Sequence, residues 1–134
     1  MSSIICIGNY GTGDENQYKV SELIKFLANK HNCKFILGLG NNILPNGVKR
    51  PYDIQFEEKF NKPYSLIPKN IKFYNILGNH DYDIKQSPKS QINYSKLNKK
   101  WILPHNFYCF KKMINKIPIE FMGIDTNFSK MSKN

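Results

Sequence analysis

The side chains best suited to chemistry in this chain belong to the string Gly78-Asn79-His80-Asp81. It follows the apolar run 71–77, so it lies on the loop that leaves a predicted buried strand, where α/β sheets usually place their sites. An amide oxygen can bind a metal ion, and an imidazole can donate a proton or contact a phosphate near neutral pH. Asp81 can orient His80 for that work. The structural alternative is that His80 satisfies backbone groups at the end of the strand.

Two further apolar runs also end in loops that carry asparagine. Residues 3–7 are followed by Gly8-Asn9, and residues 34–39 are followed by Gly40-Asn41. Four apolar residues between these runs recur at helical spacing and predict an amphipathic helix: Val20, Leu23, Ile24 and Leu27. Strand, loop, helix, strand and loop in this order predict an α/β fold with parallel strands. The carboxyl ends of such strands converge on one edge of the sheet, so we expect a site where the three loops meet.

The rest of the chain predicts shorter elements, all within a single domain over residues 1–134. Asp53 can cap a short helix over residues 54–60, because an aspartate side chain accepts from the first turn of a helix. Residues 91–99 predict another helix, and residues 106–112 and 118–124 predict a pair of later strands.

The chain is basic, with a net charge of +10, which attracts phosphate-bearing partners. Arg50 is the only arginine among its 20 basic residues, whereas specific nucleic-acid readers rely on arginine. A Lys-rich module that binds nucleic acid or another polyanion is therefore an alternative that we do not favour. It would be favoured if six basic side chains shared one face: Lys49, Arg50, Lys99, Lys100, Lys111 and Lys112.

Other features predict a cytoplasmic or intracellular protein without membrane contact. No segment approaches the roughly 20 apolar residues of a membrane span, and the first residues lack the basic and apolar regions of a signal peptide. Cys6, Cys33 and Cys109 are odd in number and widely spaced. That pattern predicts buried, reduced thiols and not a disulfide framework or a zinc cluster.

The order of the motifs resembles the metallophosphoesterases, and within them the tartrate-resistant type of purple acid phosphatase. That family has Gly-Asp-Trp-Gly after its first strand, Gly-Asp-Asn-Phe-Tyr after its second and Gly-Asn-His-Asp after its third. The corresponding segments here are Gly8-Asn9-Tyr10-Gly11, Gly40-Asn41-Asn42-Ile43-Leu44 and the intact Gly78 to Asp81. Further matches follow in the same order at residues 91–95, 101, 104, 107–108 and 124–126, so the similarity runs through nearly the whole chain.

For the fold, this resemblance implies a partial metallophosphoesterase β-sandwich flanked by helices, the N-terminal half of the family fold. The second half of the family pattern normally supplies further strands, so one apolar sheet face or edge is expected to lack its usual cover. An uncovered face invites pairing, and the resemblance therefore implies a homo-oligomer or a partner chain that covers the shortened sandwich.

For the site, the resemblance implies a dinuclear metal centre, iron with iron, zinc or manganese, that binds phosphate and activates a water. Asn79 matches a metal ligand of the family. Asn9 and Asn41 stand where the family has a metal-binding and a bridging aspartate, and Leu44 stands where it has a tyrosine that binds the ferric ion. His80 matches a residue that contacts substrate and transition state. The histidine motifs that complete the family's centre have no counterpart in this sequence.

We therefore expect that no metal cofactor is retained and that the chain is a catalytically impaired pseudo-phosphatase. It can still bind phosphate or a phosphorylated ligand. The alternative is an active metal-dependent phosphomonoesterase, an acid phosphatase completed by a partner chain or by an unusual site built on Asn79, His80, Asp81 and Asp14. For Asp14 and Asp125 we favour turn and capping roles over metal binding.

Overall fold

The fold is built around a four-stranded parallel sheet. The computed structural model describes residues 1–131. The strands lie side by side in chain order: β1 (Ser3–Ile7), β2 (Cys33–Gly38), β3 (Phe73–Asn75) and β4 (Trp101–Ile102). Every neighbouring pair is parallel, with Ile7 opposite Gly38 and Gly38 opposite Asn75. The three predicted strands are confirmed, although β3 is shorter than the apolar run 71–77, and β4 was not predicted.

Helices connect these strands and cover one face of the sheet. They are α1 (Glu15–Lys30), α2 (Ile54–Phe56), which continues as a π-helical segment over Glu57–Asn61, α3 (Ser87–Tyr94) and a last short helix, α4 (Phe128–Met131). The helix predicted over 91–99 begins earlier, because Pro88 in its first turn supplies the fixed backbone angle that favours a helix start. None of the helices within residues 1–131 is long and apolar enough to cross a membrane.

The core on the helical side is largely aromatic. Trp101 of β4 and Phe73 of β3 are fully buried against rings from the α2 segment and from α3. The Phe56 and Tyr94 rings stack with centroids 3.7 Å apart, and Phe60 meets Trp101 edge to face at 4.8 Å. This packing fixes β3 and β4 beneath the helices.

A two-stranded antiparallel hairpin covers the opposite face of the sheet. Its strands are β5 (Phe107–Ile114) and β6 (Ile117–Ile124), as predicted. Phe110 and Phe121 point inwards and pack edge to face against Phe35 of β2, with ring centroids 5.7 and 5.2 Å apart. The main sheet is therefore held between helices and a second sheet, a partial sandwich, and the α/β class is confirmed.

The buried face of α1 differs from the predicted apolar stripe. Ile24 is buried, but Val20 and Leu23 are 43% and 54% exposed. The helix instead turns Gln17 inwards, where its Oε1 accepts from the Gly13 N–H at 2.7 Å and its Nε2 donates to the Lys59 carbonyl at 2.6 Å. These two bonds fix the rotation of the first turn, so the polar contact overrides the apolar pattern.

The three cysteines are free, but the prediction that all are buried is wrong for two of them. Cys33 is buried at the start of β2. Cys6 and Cys109 are exposed, Cys109 on the outer face of the hairpin, where residues alternate between the covered and the open side.

Candidate functional site

The loops after β1, β2 and β3 meet at the carboxyl edge of the sheet, and each brings one asparagine. The Asn41 Nδ2 group donates to Asn9 Oδ1 at 2.8 Å and to Asn79 Oδ1 at 3.3 Å. Asn41 Oδ1 accepts from the backbone N–H of His80 at 3.0 Å. We call Asn9, Asn41 and Asn79 the amide cluster. The predicted convergence of the three loops is thereby confirmed.

Backbone geometry brings these loops into contact. Asn9 and Asn41 lie in the left-handed region, with φ of 52° and 53°, which asparagine and aspartate tolerate better than other residues with a side chain. Gly78 lies directly against Asn41: a Cβ at Gly78 would come within 2.3 Å of Asn41 Oδ1. A glycine at this position therefore lets the loop after β3 lie against the loop after β2.

Asp81 joins the same loops from beneath. Its carboxylate is fully buried and accepts from the backbone N–H groups of Gly78 at 2.9 Å and Asn42 at 3.0 Å, and from Gln91 Nε2 at 2.8 Å. Burial raises the pKa of Asp81, and these donors oppose that rise. The carboxylate is a structural tie between the second and third loops.

The prediction that Asp81 orients His80 is wrong. His80 is exposed, and its Nδ1 lies 3.0 Å from Oδ2 of Asp83, three residues further along a 3₁₀ turn over Asn79–Tyr82. Asp81 points the other way, into the protein, because it satisfies the backbone of the neighbouring loop. The carboxylate that contacts the imidazole is that of Asp83.

Asp83 and Lys130 are site neighbours that the sequence did not indicate. Lys130 Nζ donates to Asp83 Oδ1 at 3.0 Å and to the carbonyl of Asn79 at 2.9 Å. Hydrogen bonds from Lys130 and His80 hold the pKa of Asp83 below its ordinary value. The spacing of His80 and Asp83 on a helical turn is a usable signal. Lys130 approaches from α4, and no local pattern predicts that contact.

Asp14 and Asp125 lie outside the amide cluster. Asp14 caps α1, accepting from the Gln17 N–H at 2.9 Å, and this bond lowers the pKa of Asp14. Asp125 is buried, accepts from the Tyr82 hydroxyl at 2.5 Å and bonds the backbone N–H of Asn127 at 2.9 Å. Burial, and then the Asp125 carboxylate, raise the pKa of Tyr82. Both aspartates make the contacts of caps and turns.

The comparisons with known proteins identify the scaffold. A sequence model described as calcineurin-like phosphoesterase matches residues 4–130. The chain belongs to that family. It is similar to purple acid phosphatase 17 of Arabidopsis thaliana, 26% identical over 92% of this chain and 36% of that protein. It is also similar to human tartrate-resistant acid phosphatase type 5, 34% identical over 83% of this chain and 33% of that protein. The chain thus spans about a third of the length of these relatives.

A solved structure has the same fold. It is described as GAP50, the anchor in the inner membrane complex of Plasmodium, and it matches 89% of this chain and 39% of its own with a TM-score of 0.73. Its sequence identity of 20% supports the fold alone.

The family's dinuclear metal centre does not fit the side chains at the strand ends. Within residues 1–131 no three His, Cys, Asp or Glu side chains are grouped so that they could hold a metal ion. Two unit charges 4 Å apart repel by about 4 kcal/mol at a dielectric constant near 20, so two divalent ions repel by roughly 16 kcal/mol. Carboxylates offset such a repulsion, and neutral amides do not. Turning all three amide oxygens towards a cation would still add no negative charge.

The six basic side chains named above do not all point to one side of the molecule. Lys111 and Lys112 are neighbours on β5, so they point to opposite sides of the hairpin: Lys111 lies 3.8 Å from Glu120, and Lys112 lies over the Tyr74 ring. Lys100 is partly buried and donates to the carbonyls of Tyr64 and Ile67 at 2.7 and 2.8 Å. Three of the six residues are therefore committed elsewhere.

Proposed function

We propose that this chain is a catalytically impaired purple-acid-phosphatase-like protein that keeps the family scaffold and a phosphate-binding edge without a working dinuclear centre. One observation carries the proposal. Asn41 stands at the bridging position of the family pattern, and its Nδ2 group points between Asn9 and Asn79, 2.8 and 3.3 Å from their oxygens. A neutral amide at this position would supply no anionic oxygen to a metal centre, and its NH₂ group is already paired with Asn9 and Asn79.

The remaining groups support binding of an anion. His80 and Lys130 are partly exposed at the edge, and both can donate to a phosphate oxygen. The one carboxylate in contact with them, Asp83, is paired with both. These donors support the binding of a phosphate at the edge.

The first test is hydrolysis of 4-nitrophenyl phosphate by the purified chain between pH 4 and 8, with zinc, manganese or iron added. The expected result is a rate equal to that of buffer with the same metal. Turnover that depends on metal and is abolished by a chelator would overturn the proposal and favour an active phosphomonoesterase.

The second test is metal content after the double substitution Asn9→Asp and Asn41→Asp. Both positions have a backbone conformation that aspartate tolerates, so the scaffold should accept the change. The variant is expected to bind more zinc or manganese, measured by calorimetry and elemental analysis, than the parent chain.

A matched control is the double substitution Asn70→Asp and Asn115→Asp. It adds the same charge at two exposed asparagines outside the amide cluster, and Asn115 shares the left-handed conformation, with φ of 51°. Equal metal uptake by the parent chain, the control and the variant would show that the amides at positions 9 and 41 are not what limits metal binding.

A further inference from the structure

A large cavity in the described part of the chain is lined by residues other than those of the amide cluster. Its volume is about 820 Å³, and it opens between the segment 49–51, helix α3 and the residues that lead into β5. That volume falls in the range of small-molecule sites in proteins. None of Asn9, Asn41, Asn79 and His80 lines it.

The wall of this cavity carries one sign of charge. Four cationic side chains line it, Lys49, Arg50, Lys85 and Lys89, and no aspartate or glutamate does. All four are exposed, and none forms a salt bridge with any residue in 1–131. Asp53, on the same segment as Arg50, is held as the cap of α2 by the backbone N–H groups of Lys49 and Gln55. Positive charge therefore dominates the cavity.

Two of these cations are placed where a helix does not favour them. Lys89 lies in the first turn of α3 and Lys85 just before it. The amino end of a helix carries a partial positive charge, which disfavours cations beside it. An anion bound beside Lys85 and Lys89 relieves that effect. The placement is thus unfavourable for the free helix and favourable for a ligand.

The rest of the lining combines apolar side chains with polar ones, including Ser90, Asn93 and His105. Ile92, Phe107 and Met131 contribute apolar surface. At the floor, Tyr82 donates to Asp125, and Asn106 Nδ2 donates to the Tyr82 hydroxyl at 2.7 Å. Ile92, Phe107 and Met131 thus form an apolar wall in the same cavity as the four cations. Such a combination suits an anion with an aromatic body better than inorganic phosphate.

We propose that this cavity binds a small aromatic organic phosphate, of which a nucleoside diphosphate is representative. Its phosphates lie among Lys49, Arg50, Lys85 and Lys89, because four cations match the charge of a diphosphate better than that of a single carboxylate. Its ring packs on Phe107 and Ile92. The site is separate from the strand-end edge and does not depend on what that edge does.

The test is calorimetric titration of the full chain with ADP, without added metal. The variant Lys85→Ala with Lys89→Ala should bind ADP roughly tenfold more weakly, since each exposed charge contact contributes modestly. The matched control is Lys62→Ala with Lys69→Ala, two exposed lysines outside the cavity. That control should bind ADP as the parent does.

Three results would overturn the inference. The first is no binding of ADP by the parent chain. The second is an equal loss in the control pair, which would show only diffuse attraction by a basic surface. The third is loss of binding in His80→Ala, which would place the ligand at the strand ends. Inorganic pyrophosphate provides the last comparison: binding as tight as that of ADP would remove the role of the apolar wall, and weaker binding supports it.

Discussion

The substitution Asp81→Asn tests whether the carboxylate of the Gly-Asn-His-Asp string is structural. The carboxylate accepts from three backbone N–H groups, those of Gly78, Asn42 and Ile43, at 2.9, 3.0 and 3.4 Å, and from Gln91 Nε2 at 2.8 Å. An amide keeps one acceptor oxygen and turns an NH₂ group towards these donors. At least one of the four bonds is then lost: that from Gly78 if the oxygen takes the Oδ1 position, or those from Ile43 and Gln91 if it takes the Oδ2 position.

The size of the effect follows from those contacts. A hydrogen bond to a charged group contributes about 1.5–3 kcal/mol, and the loss of one such bond sets the scale of the effect. Burial raises the pKa of Asp81, which means that the ionised form is partly penalised in the folded protein. Removing the charge recovers part of that penalty, so we expect the lower end, a loss of about 1.5 kcal/mol in the free energy of unfolding.

Urea unfolding followed by fluorescence measures this loss, because Trp101 is the single tryptophan and is fully buried. With a urea slope of about 1.5 kcal/mol/M, the midpoint should fall by roughly 1 M. Asp83→Asn is the matched control: the same change two residues on, at a partly exposed ion pair that contributes about 0.2–1 kcal/mol. Equal midpoints for the two variants would refute a structural role for Asp81.

Two further predictions concern pH and the contact between loops. Burial lowers the pKa of Lys100 to about 8 in the folded protein, whereas the ordinary pKa of lysine is near 10.4. Between these two pH values the unfolded chain binds more protons than the folded protein does. The free energy of unfolding therefore rises with pH in this window. Lys100→Met should flatten that rise in urea unfolding at pH 8 to 10, and parallel curves would contradict the burial argument. Gly78→Ala places a methyl group 2.3 Å from Asn41 Oδ1 and should cost about 1–3 kcal/mol in thermal melting. Gly8→Ala, where the nearest atom would lie at 3.5 Å, should cost clearly less, and equal losses would argue against the close approach of the loops.

The sequence predicted the parts of the fold that follow from local pattern and connection order. Apolar runs at 3–7, 34–39 and 71–77 became parallel neighbours, because short strands joined by crossovers align in that way. Their loops then had to meet at one edge, so the amide cluster could be anticipated before any side chain was placed.

The parts that failed depend on contacts between distant segments. Gln17 turns inwards because a carbonyl 42 residues away, at Lys59, lies within reach, and no spacing within α1 records that. The sequence around Asp81 is compatible with a carboxylate that contacts His80 and equally with one that contacts the loop after β2. The local pattern therefore does not predict which contact forms. The direction of the Asp81 side chain is decided by how closely Gly78 and Asn41 approach. Lys130 reaches Asp83 across 47 residues and is equally invisible to periodicity.

The amide cluster explains how the strand-end geometry persists without the charges that the family pattern expects. Carboxylates at positions 9 and 41 would place oxygens of like charge near 2.8 Å apart, an arrangement that is stable only with a cation or a proton between them. In this chain the Asn41 NH₂ group instead donates hydrogen bonds to Asn9 and Asn79. Because the left-handed backbone at both positions suits asparagine as well as aspartate, the loops need not move. The side chains of the three asparagines at the edge are thus hydrogen-bonded to one another through Asn41. Metal uptake by the variant Asn9→Asp with Asn41→Asp measures how much metal binding two aspartates add at these positions.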